Sequence, residues 1–112
     1  MASVDECEEA LTTLAARLAA AHPDAKRKAA VDRTMTCTLT DHGVVFGGRL
    51  RDGELLDIRR VARADAQVKM AMTSDDLVKL VAGELNMASA FASGRVKIDA
   101  GIRDLFKLRS IF

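Results

Sequence analysis

The chain has 112 residues, of which 49% are apolar and 29% charged, a balance typical of a globular domain. Its 17 basic and 16 acidic residues nearly cancel, so there is no general electrostatic attraction to nucleic acid. Four phenylalanines are its only aromatic residues, too few for a surface on which single-stranded bases stack. We therefore expect one domain over residues 1–112 that does not bind nucleic acid.

The start of the chain, MASVDECEE, lacks the basic and apolar regions of a signal peptide. No run of about 18 apolar residues is present to span a membrane. The two cysteines, Cys7 and Cys37, do not have the spacing of a metal site or of a redox motif. We expect a cytoplasmic protein with buried, reduced thiols and no metal.

A first helix should begin at Val4, because Ser3 and Glu6 form a Ser-x-x-Glu capping box. Small and apolar residues recur along one side of it at helical spacing: Cys7, Ala10, Leu11, Leu14, Ala15, Leu18 and Ala21. The helix should end before Pro23, because helical conformation is disfavoured before a proline. Asp24 should cap a second, short turn over residues 25–30.

Alternating apolar and polar residues then predict four strands, over residues 34–40, 44–50, 55–61 and 66–72. In the first strand the apolar residues should face the interior and the threonines an outer face. The pair Gly47 and Gly48 predicts a bulge or a close backbone approach in the second strand. We interpret the four strands as a meander with one face that needs a cover.

Residues 73–112 should supply much of that cover. Thr73 or Ser74 should cap a helix that ends near Gly83. A short helix over residues 87–93, a strand around residues 95–99 and a terminal helix after residue 101 should follow. The apolar residues of these elements, among them Phe91, are expected to face one shared interior.

Three ordered motifs in this region carry a resemblance to a known family: Ser74-x-Asp76-Leu77, Leu80-x-x-Gly83-x-Leu85 and Ala90-Phe91-x-x-Gly94-x-Val96-Lys97-Ile98. Together they are similar to the C-terminal signature of the sterol carrier protein type 2 family. The order of the predicted elements extends the similarity over nearly the whole chain. The sequence departs from the family pattern at Ala100-Gly101, where the family usually has Gly-Asp or Gly-Asn. It also ends in Ser110-Ile111-Phe112, without the peroxisomal targeting tripeptide of some members.

The resemblance implies an α+β fold: a mixed, mainly antiparallel five-stranded sheet, helices over one face, and a hydrophobic tunnel between them. It implies an intracellular carrier of a fatty acid, a fatty acyl-coenzyme A, a sterol or another lipid, with no cofactor and no catalytic residues. We expect the ligand to lie under the C-terminal helix. The expected lipid-binding residues are Met70, Met72, Leu77, Leu80, Val81, Leu85, Met87, Phe91, Val96, Ile98, Ile102, Leu105 and Phe106.

A cluster of arginines is the candidate site for the head group of such a ligand, because arginine binds carboxylate and phosphate in a bidentate manner. Its members are Arg49, Arg51, Arg59 and Arg60. The alternative is that acidic residues interleaved with them, such as Asp52 and Asp57, neutralise these charges. Contact with an anionic membrane surface is a third use of the same cluster.

An empty tunnel would be unstable. A cavity of about 300–1,000 Å³, at about 24 cal/mol per Å³, would cost about 7–24 kcal/mol, against a total stability of about 5–15 kcal/mol. The protein should therefore either collapse around flexible side chains such as Met70, Met72 and Met87 or carry a lipid.

Two other functions remain open from the sequence. The apolar stripe of the first helix would suit an accessory domain that binds a partner or forms a homodimer. A pocket enzyme, such as a cyclase or isomerase, would need an acid or base inside the pocket. His22, His42 and Cys37 are poor candidates for that role because of their predicted positions.

Overall fold

A computed structural model describes residues 1–28 and 32–108, without the side chains of residues 25, 26, 28 and 106–108. The elements of this part of the chain are α1 (Val4–Ala19), α2 (Pro23–Lys28), β1 (Asp32–Leu39), β2 (Val44–Arg51), β3 (Glu54–Val61), β4 (Val68–Met72), α3 (Ser74–Val81), α4 (Met87–Ala92), β5 (Lys97–Asp99) and α5 (Ile102–Leu108). The strands form one sheet in the order β3-β2-β1-β4-β5. The predicted α+β fold with a mixed, mainly antiparallel five-stranded sheet is confirmed.

Helix α1 begins where the capping box predicted. The Ser3 side chain accepts a hydrogen bond from the backbone N–H of Glu6, and the Glu6 side chain accepts one from the N–H of Ser3. The apolar stripe packs inwards, with Cys7, Leu11 and Leu14 buried. Helix α1 ends at Ala19, before Pro23 as predicted, and the proline itself begins α2, since the first helical position needs no N–H donor. Residues 29 and 30 of the predicted second turn lie outside the described residues.

The order of the strands corrects the predicted meander. Strands β1, β2 and β3 do form successive antiparallel pairs, but β4 crosses the sheet and pairs with β1 in parallel. Burial explains this order of strands. Val68, Met70 and Met72 of β4 are buried, as expected of an inner strand, whereas the residues of β3 are half-buried or exposed, as expected of an edge strand. A reciprocal pair of hydrogen bonds between Thr34 and Gln67 (3.0 and 3.1 Å) holds β4 beside β1.

The glycine pair of β2 makes the predicted bulge. The register between β2 and β3 shifts between Gly47 and Arg49. A Cβ atom at position 47 would lie only 2.8 Å from the Cγ1 atom of Val61, so the side chain of Val61 packs directly on the glycine backbone. Glycine is needed at this position because it allows this close approach.

The predicted outer face of β1 is less exposed than expected. Thr34 is exposed, but Thr36 is only 5% exposed, and its hydroxyl oxygen has no hydrogen-bond partner among the described residues. Thr36 lies directly opposite Gly47, on which Val61 packs, so this part of the outer face is covered. The alternation of side chains places Thr36 on the opposite face from Met35 and Cys37.

Replacing Thr36 by valine should therefore stabilise the protein by about 1 kcal/mol, because a buried hydroxyl without a partner is unfavourable. Valine has nearly the same shape, so packing is retained. Urea denaturation of the two proteins would measure the change. Thr38→Val, at a half-buried position of the same strand, is the matched control and should have little effect.

The last third of the chain follows the predicted order. Thr73 caps α3, whose C-terminal turn is followed by Gly83 in the left-handed conformation (φ +78°). Two residues expected in the interior are instead exposed: Phe91 (46%) and Ile102 (74%). In the short helix α4 the neighbouring Ala90 takes the inward position, and Ile102 is the first residue of α5. The terminal residues Ser110, Ile111 and Phe112 lie outside the described residues.

Candidate functional site

A small apolar cavity lies between the sheet and the two helices α1 and α3. Its volume is about 60 Å³, roughly that of two water molecules in the liquid. Its lining residues are Leu11, Leu14, Met35, Thr36, Cys37, Phe46, Gly47, Gly48, Leu55, Ile58, Met70, Met72, Leu77 and Leu80. An empty cavity of this size costs only about 1.4 kcal/mol. A domain of this size tolerates it, which corresponds to the collapsed form expected from the sequence.

A larger groove opens beside this cavity, between the C-terminal half of α1 and the segment that joins α3 to α4. Its volume is about 490 Å³. The lining residues are Leu14, Arg17, Leu18, Leu80, Gly83, Glu84, Leu85, Asn86 and Met87. Leu14 and Leu80 line both the cavity and the groove. These two side chains therefore separate the small apolar cavity from the larger groove.

Helix α1 is anchored most firmly at its N-terminal end. The backbone N–H of Ala2 donates a hydrogen bond to Asp75 (2.6 Å), and the Cys7 thiol donates one to the carbonyl oxygen of Ser74 (3.6 Å). At the other end, a guanidinium nitrogen of Arg17 donates to the carbonyl oxygen of Val81 (2.9 Å). This is the one hydrogen bond between α1 and α3 found near the groove in the described residues.

The turn between β1 and β2 supports the same anchor. Both the backbone N–H (2.9 Å) and the hydroxyl (2.5 Å) of Ser74 donate to the carboxylate of Asp41. The hydroxyl hydrogen bond is the main cause that lowers the pKa of Asp41 below its ordinary value. Nε2 of the neighbouring His42 lies 2.7 Å from the carbonyl oxygen of Ala2. The polar groups near the cavity thus hold the chain together at one end of α1.

The cavity lining contains one titratable group in the described residues, the thiol of Cys37. Burial raises the pKa of Cys37 to about 12, and burial also raises the pKa of Cys7 to about 11. The folded protein therefore holds these two protons more firmly than the unfolded chain does. Stability should fall as the pH rises above the ordinary thiol pKa towards 11–12.

Both thiols should accordingly react slowly with a maleimide at pH 8. Because the thiolate is the reacting form, raising the pKa of Cys7 from 9.0 to about 11 should slow its reaction by roughly a hundredfold relative to the chain unfolded in urea. The rate can be followed by mass spectrometry of the intact protein. Rapid labelling of both residues in the folded protein would contradict the buried, protonated state.

The structure brings together only part of the predicted lipid-binding set. Met70, Met72, Leu77 and Leu80 line the cavity, while Leu85 and Met87 line the groove. Val81 and Val96 are buried in the core, and Ile98 and Leu105 are half-buried. Phe91 and Ile102 are exposed, and the side chain of Phe106 lies outside the described part of the chain.

In the described residues the cavity lies beneath α1 and α3. The ligand site that the sequence predicted under the C-terminal helix involves side chains outside the described residues, such as that of Phe106. Two wall residues of the cavity, Leu11 and Leu14, belong to α1 and are missing from the predicted set. The signal for them was the apolar stripe of the first helix, which the sequence motifs of the last third did not include. Phe46 and the two glycines of β2 complete the opposite wall.

The four arginines proposed for a head group line neither the cavity nor the groove in the described residues. Arg49 forms a bidentate ion pair with Asp32 (2.6 and 2.8 Å), and this hydrogen bonding lowers the pKa of Asp32. The remaining partners are Asp52 for Arg51 (3.7 Å), the carbonyl oxygen of Asp57 for Arg59 (3.0 Å) and Asp5 for Arg60 (3.7 Å). Three of the four arginines therefore lie beside a carboxylate, and one of these carboxylates, Asp52, belongs to the interleaved acidic residues.

One residue of the family-like motifs, Asp76, forms a largely buried ion pair. Asp76 lies in the first turn of α3 and is only 7% exposed, and its Oδ1 accepts a hydrogen bond of 2.5 Å from Arg95. The cap itself is Thr73, whose hydroxyl accepts a hydrogen bond from the N–H of Asp76. The ion pair of Asp76 and Arg95 joins α3 to the turn before β5.

None of the helices in residues 1–28 and 32–108 has the length and apolar character that crossing a membrane requires. Within the same ranges, no three His, Cys, Asp or Glu side chains gather closely enough to hold a metal ion.

Comparison with known proteins gives two kinds of similarity. A family model described as "Alkyl sulfatase C-terminal" matches residues 5–112. The hydroxysteroid dehydrogenase-like protein 2 of Mus musculus is 40% identical over 65 residues, which is 58% of this chain and 12% of that protein. The stereoselective inverting sec-alkylsulfatase Pisa1 from Pseudomonas sp. is 25% identical, with a TM-score of 0.60 over 78% of this chain and 14% of the enzyme.

A stand-alone protein has the same fold over almost its full length. The palmitated SCP2L2 of Aedes aegypti superimposes with a TM-score of 0.71, covering 98% of this chain and 94% of that protein at 19% identity. The chain thus has a sterol carrier protein 2-like fold. By contrast, it spans about one-eighth of the mouse protein and one-seventh of the alkylsulfatase.

Proposed function

Because this chain belongs to the alkyl sulfatase C-terminal family and has a sterol carrier protein 2-like fold, we propose that it binds lipids by enclosing a hydrocarbon chain. The observation that carries the proposal is the apolar cavity between the sheet and the helices α1 and α3. The cavity shares the lining residues Leu14 and Leu80 with the groove beside it. The palmitated state of the Aedes aegypti protein supports a hydrocarbon ligand for this fold.

The ligand's hydrocarbon end enters the cavity and its other end lies in the groove. Met70, Met72 and Leu77 contact the chain in the cavity, and Leu85 and Met87 contact the part in the groove. The cavity of about 60 Å³ is too small for a long chain, whereas sites for drug-sized ligands measure about 300–1,000 Å³. Binding therefore requires α1 and α3 to separate, and the methionine side chains to adopt new rotamers.

The proposed role is binding and carriage without catalysis. The one titratable group of the described cavity lining is a thiol with a pKa of about 12. It is protonated at neutral pH and is therefore a poor general base. The two histidines do not line the cavity of the described residues: His42 contacts Ala2 and Asp41 in the turn after β1, and His22 contacts Asp24.

Native mass spectrometry of the purified protein tests the proposal directly. We expect either a lipid adduct from the expression host or, after extraction with organic solvent, stoichiometric uptake of hexadecanoic acid. Displacement of a fluorescent fatty acid by the same compound would give the affinity. A delipidated, folded protein that binds no sixteen-carbon compound at micromolar concentration would contradict the proposal.

A second candidate is an accessory domain that binds a partner protein or a second copy. The match to a segment making up 14% of an alkylsulfatase favours it, because that segment lies within a larger enzyme chain. Light scattering at two protein concentrations would detect a homodimer. These experiments distinguish the two candidate functions. A monomer that binds lipid supports the carrier function and not the accessory domain.

A further inference from the structure

The polar residues at the rim of the groove indicate the kind of head group that the ligand carries. Among the residues that line the groove, we call the polar ones its rim and the apolar side chains its floor. In the rim, Arg17 provides a cation, Glu84 an anion and Asn86 an amide. Arg17 and Glu84 form no ion pair with each other, and no other ion-pair partner is found for either in the described residues. The rim therefore presents two opposite, separate charges beside an apolar floor.

Arg17 has spare hydrogen-bonding capacity. Its guanidinium has five N–H donors, of which one hydrogen bond, to the carbonyl oxygen of Val81, is found in the described residues. The contact holds the guanidinium at the rim and leaves donors for an anionic oxygen. A neighbouring phosphate would be bound in the bidentate geometry that arginine prefers.

A purely anionic head group does not suit the rest of the rim. Helices α1 and α3 both end at this groove, with Ala20 and Ala82 as their C-terminal caps. The C-terminal ends of helices carry partial negative charge, and the carboxylate of Glu84 adds a full one. A carboxylate or a phosphate monoester near Arg17 would therefore be repelled by its other neighbours, whereas a cationic group would be attracted.

We propose that the groove is the head-group site for a zwitterionic, single-chain lipid, with its phosphate at Arg17 and its ammonium group at Glu84. The inference rests on the proposed function, because the acyl chain must pass Leu14 and Leu80 into the cavity. The groove volume of about 490 Å³ accommodates a head group much larger than a carboxylate. A single chain is proposed because the cavity that shares Leu14 and Leu80 with the groove is small.

Three ligands with the same sixteen-carbon chain test the proposal: hexadecanoyl lysophosphatidylcholine, hexadecanoic acid and monohexadecanoylglycerol. Each is titrated below its micelle-forming concentration, by displacement of one fluorescent probe. We expect the zwitterionic lipid to bind at least fivefold more tightly than the other two, since two exposed ion pairs are each worth a fewfold in affinity. Arg17→Gln and Glu84→Gln should each reduce the preference over monohexadecanoylglycerol to about two- to threefold, which is the contribution of the ion pair that remains.

Two control variants each remove one charge, positive or negative, at a position away from the groove. Lys69→Gln acts on the outer face of the sheet and Glu9→Gln on the exposed side of α1, and both should keep the preference. Unchanged binding of monohexadecanoylglycerol shows that a variant is folded. If the unmodified protein binds all three ligands equally, or binds hexadecanoic acid best, the head-group inference is wrong and the lipid-binding function stands. If it binds none of the three, both are wrong.

Discussion

Replacing Arg95 by alanine is expected to lower the free energy of unfolding by about 2–3 kcal/mol, because it leaves a buried carboxylate without its partner. The carboxylate of Asp76 is 9% exposed, whereas the side chain of Arg95 is 46% exposed. The loss should therefore lie below that of a fully buried pair. The measurement is urea denaturation monitored by circular dichroism.

The reverse substitution should have a smaller effect. Asp76→Ala removes the buried charge itself, and the half-exposed Arg95 is then hydrated by water, so we expect a loss of about 1 kcal/mol. The double variant should resemble Asp76→Ala, because removing the carboxylate restores most of the stability that Arg95→Ala alone loses. Arg51→Ala, which removes a well-exposed arginine from a 3.7 Å contact, is the control and should change stability by less than about 0.5 kcal/mol. Equal losses for Arg95→Ala and Asp76→Ala would show that burial does not determine the effect.

Leu80→Phe should weaken the binding of a sixteen-carbon ligand at least about tenfold. Leu80 is one of the two side chains that line both the cavity and the groove, so a larger side chain there closes the path between them. Overpacking should also reduce stability by about 1–3 kcal/mol. Fluorescent-probe displacement by hexadecanoic acid would measure the affinity, at a temperature where the variant remains folded.

Leu50→Phe separates blockage from general strain. Leu50 is 2% exposed and lines neither the cavity nor the groove. The Leu50→Phe variant should therefore lose a similar amount of stability but bind hexadecanoic acid as tightly as the unmodified protein does. Leu80→Ala should lose about 2–5 kcal/mol of stability but keep binding, because it widens the path. Full binding by Leu80→Phe would show that the hydrocarbon chain does not pass this position.

Local signals in the sequence predicted the local structure well. The capping box at Ser3, the cap at Thr73 and the left-handed Gly83 each depend on a few neighbouring residues, and all three are present in the structure. The pairing of β4 with β1 was not predictable in the same way. Alternation shows which side chains face the interior, but the choice of neighbouring strand depends on contacts 33 residues apart, such as that of Thr34 with Gln67.

The site was predicted only in part for a related reason. The recognisable motifs begin at Ser74 and led to Leu77 and Leu80, while the alternation of the fourth strand led to Met70 and Met72; all four line the cavity. The lining residues from α1 were not predicted, because a leucine stripe is common to any amphipathic helix. Phe91 was placed inside, but in a helix a shift of one position turns the buried side by about 100°, and Ala90 is the buried residue.

The uneven anchoring of α1 has a mechanical consequence. A helix of 16 residues is about 24 Å long, and its N-terminal end is tied to α3 through Asp75 and Ser74. If α1 rotates by about 10° around this end, its C-terminal end moves by about 4 Å. A displacement of that size equals the diameter of one hydrocarbon chain, and the hydrogen bond from Arg17 to Val81 is the described polar contact that it would break.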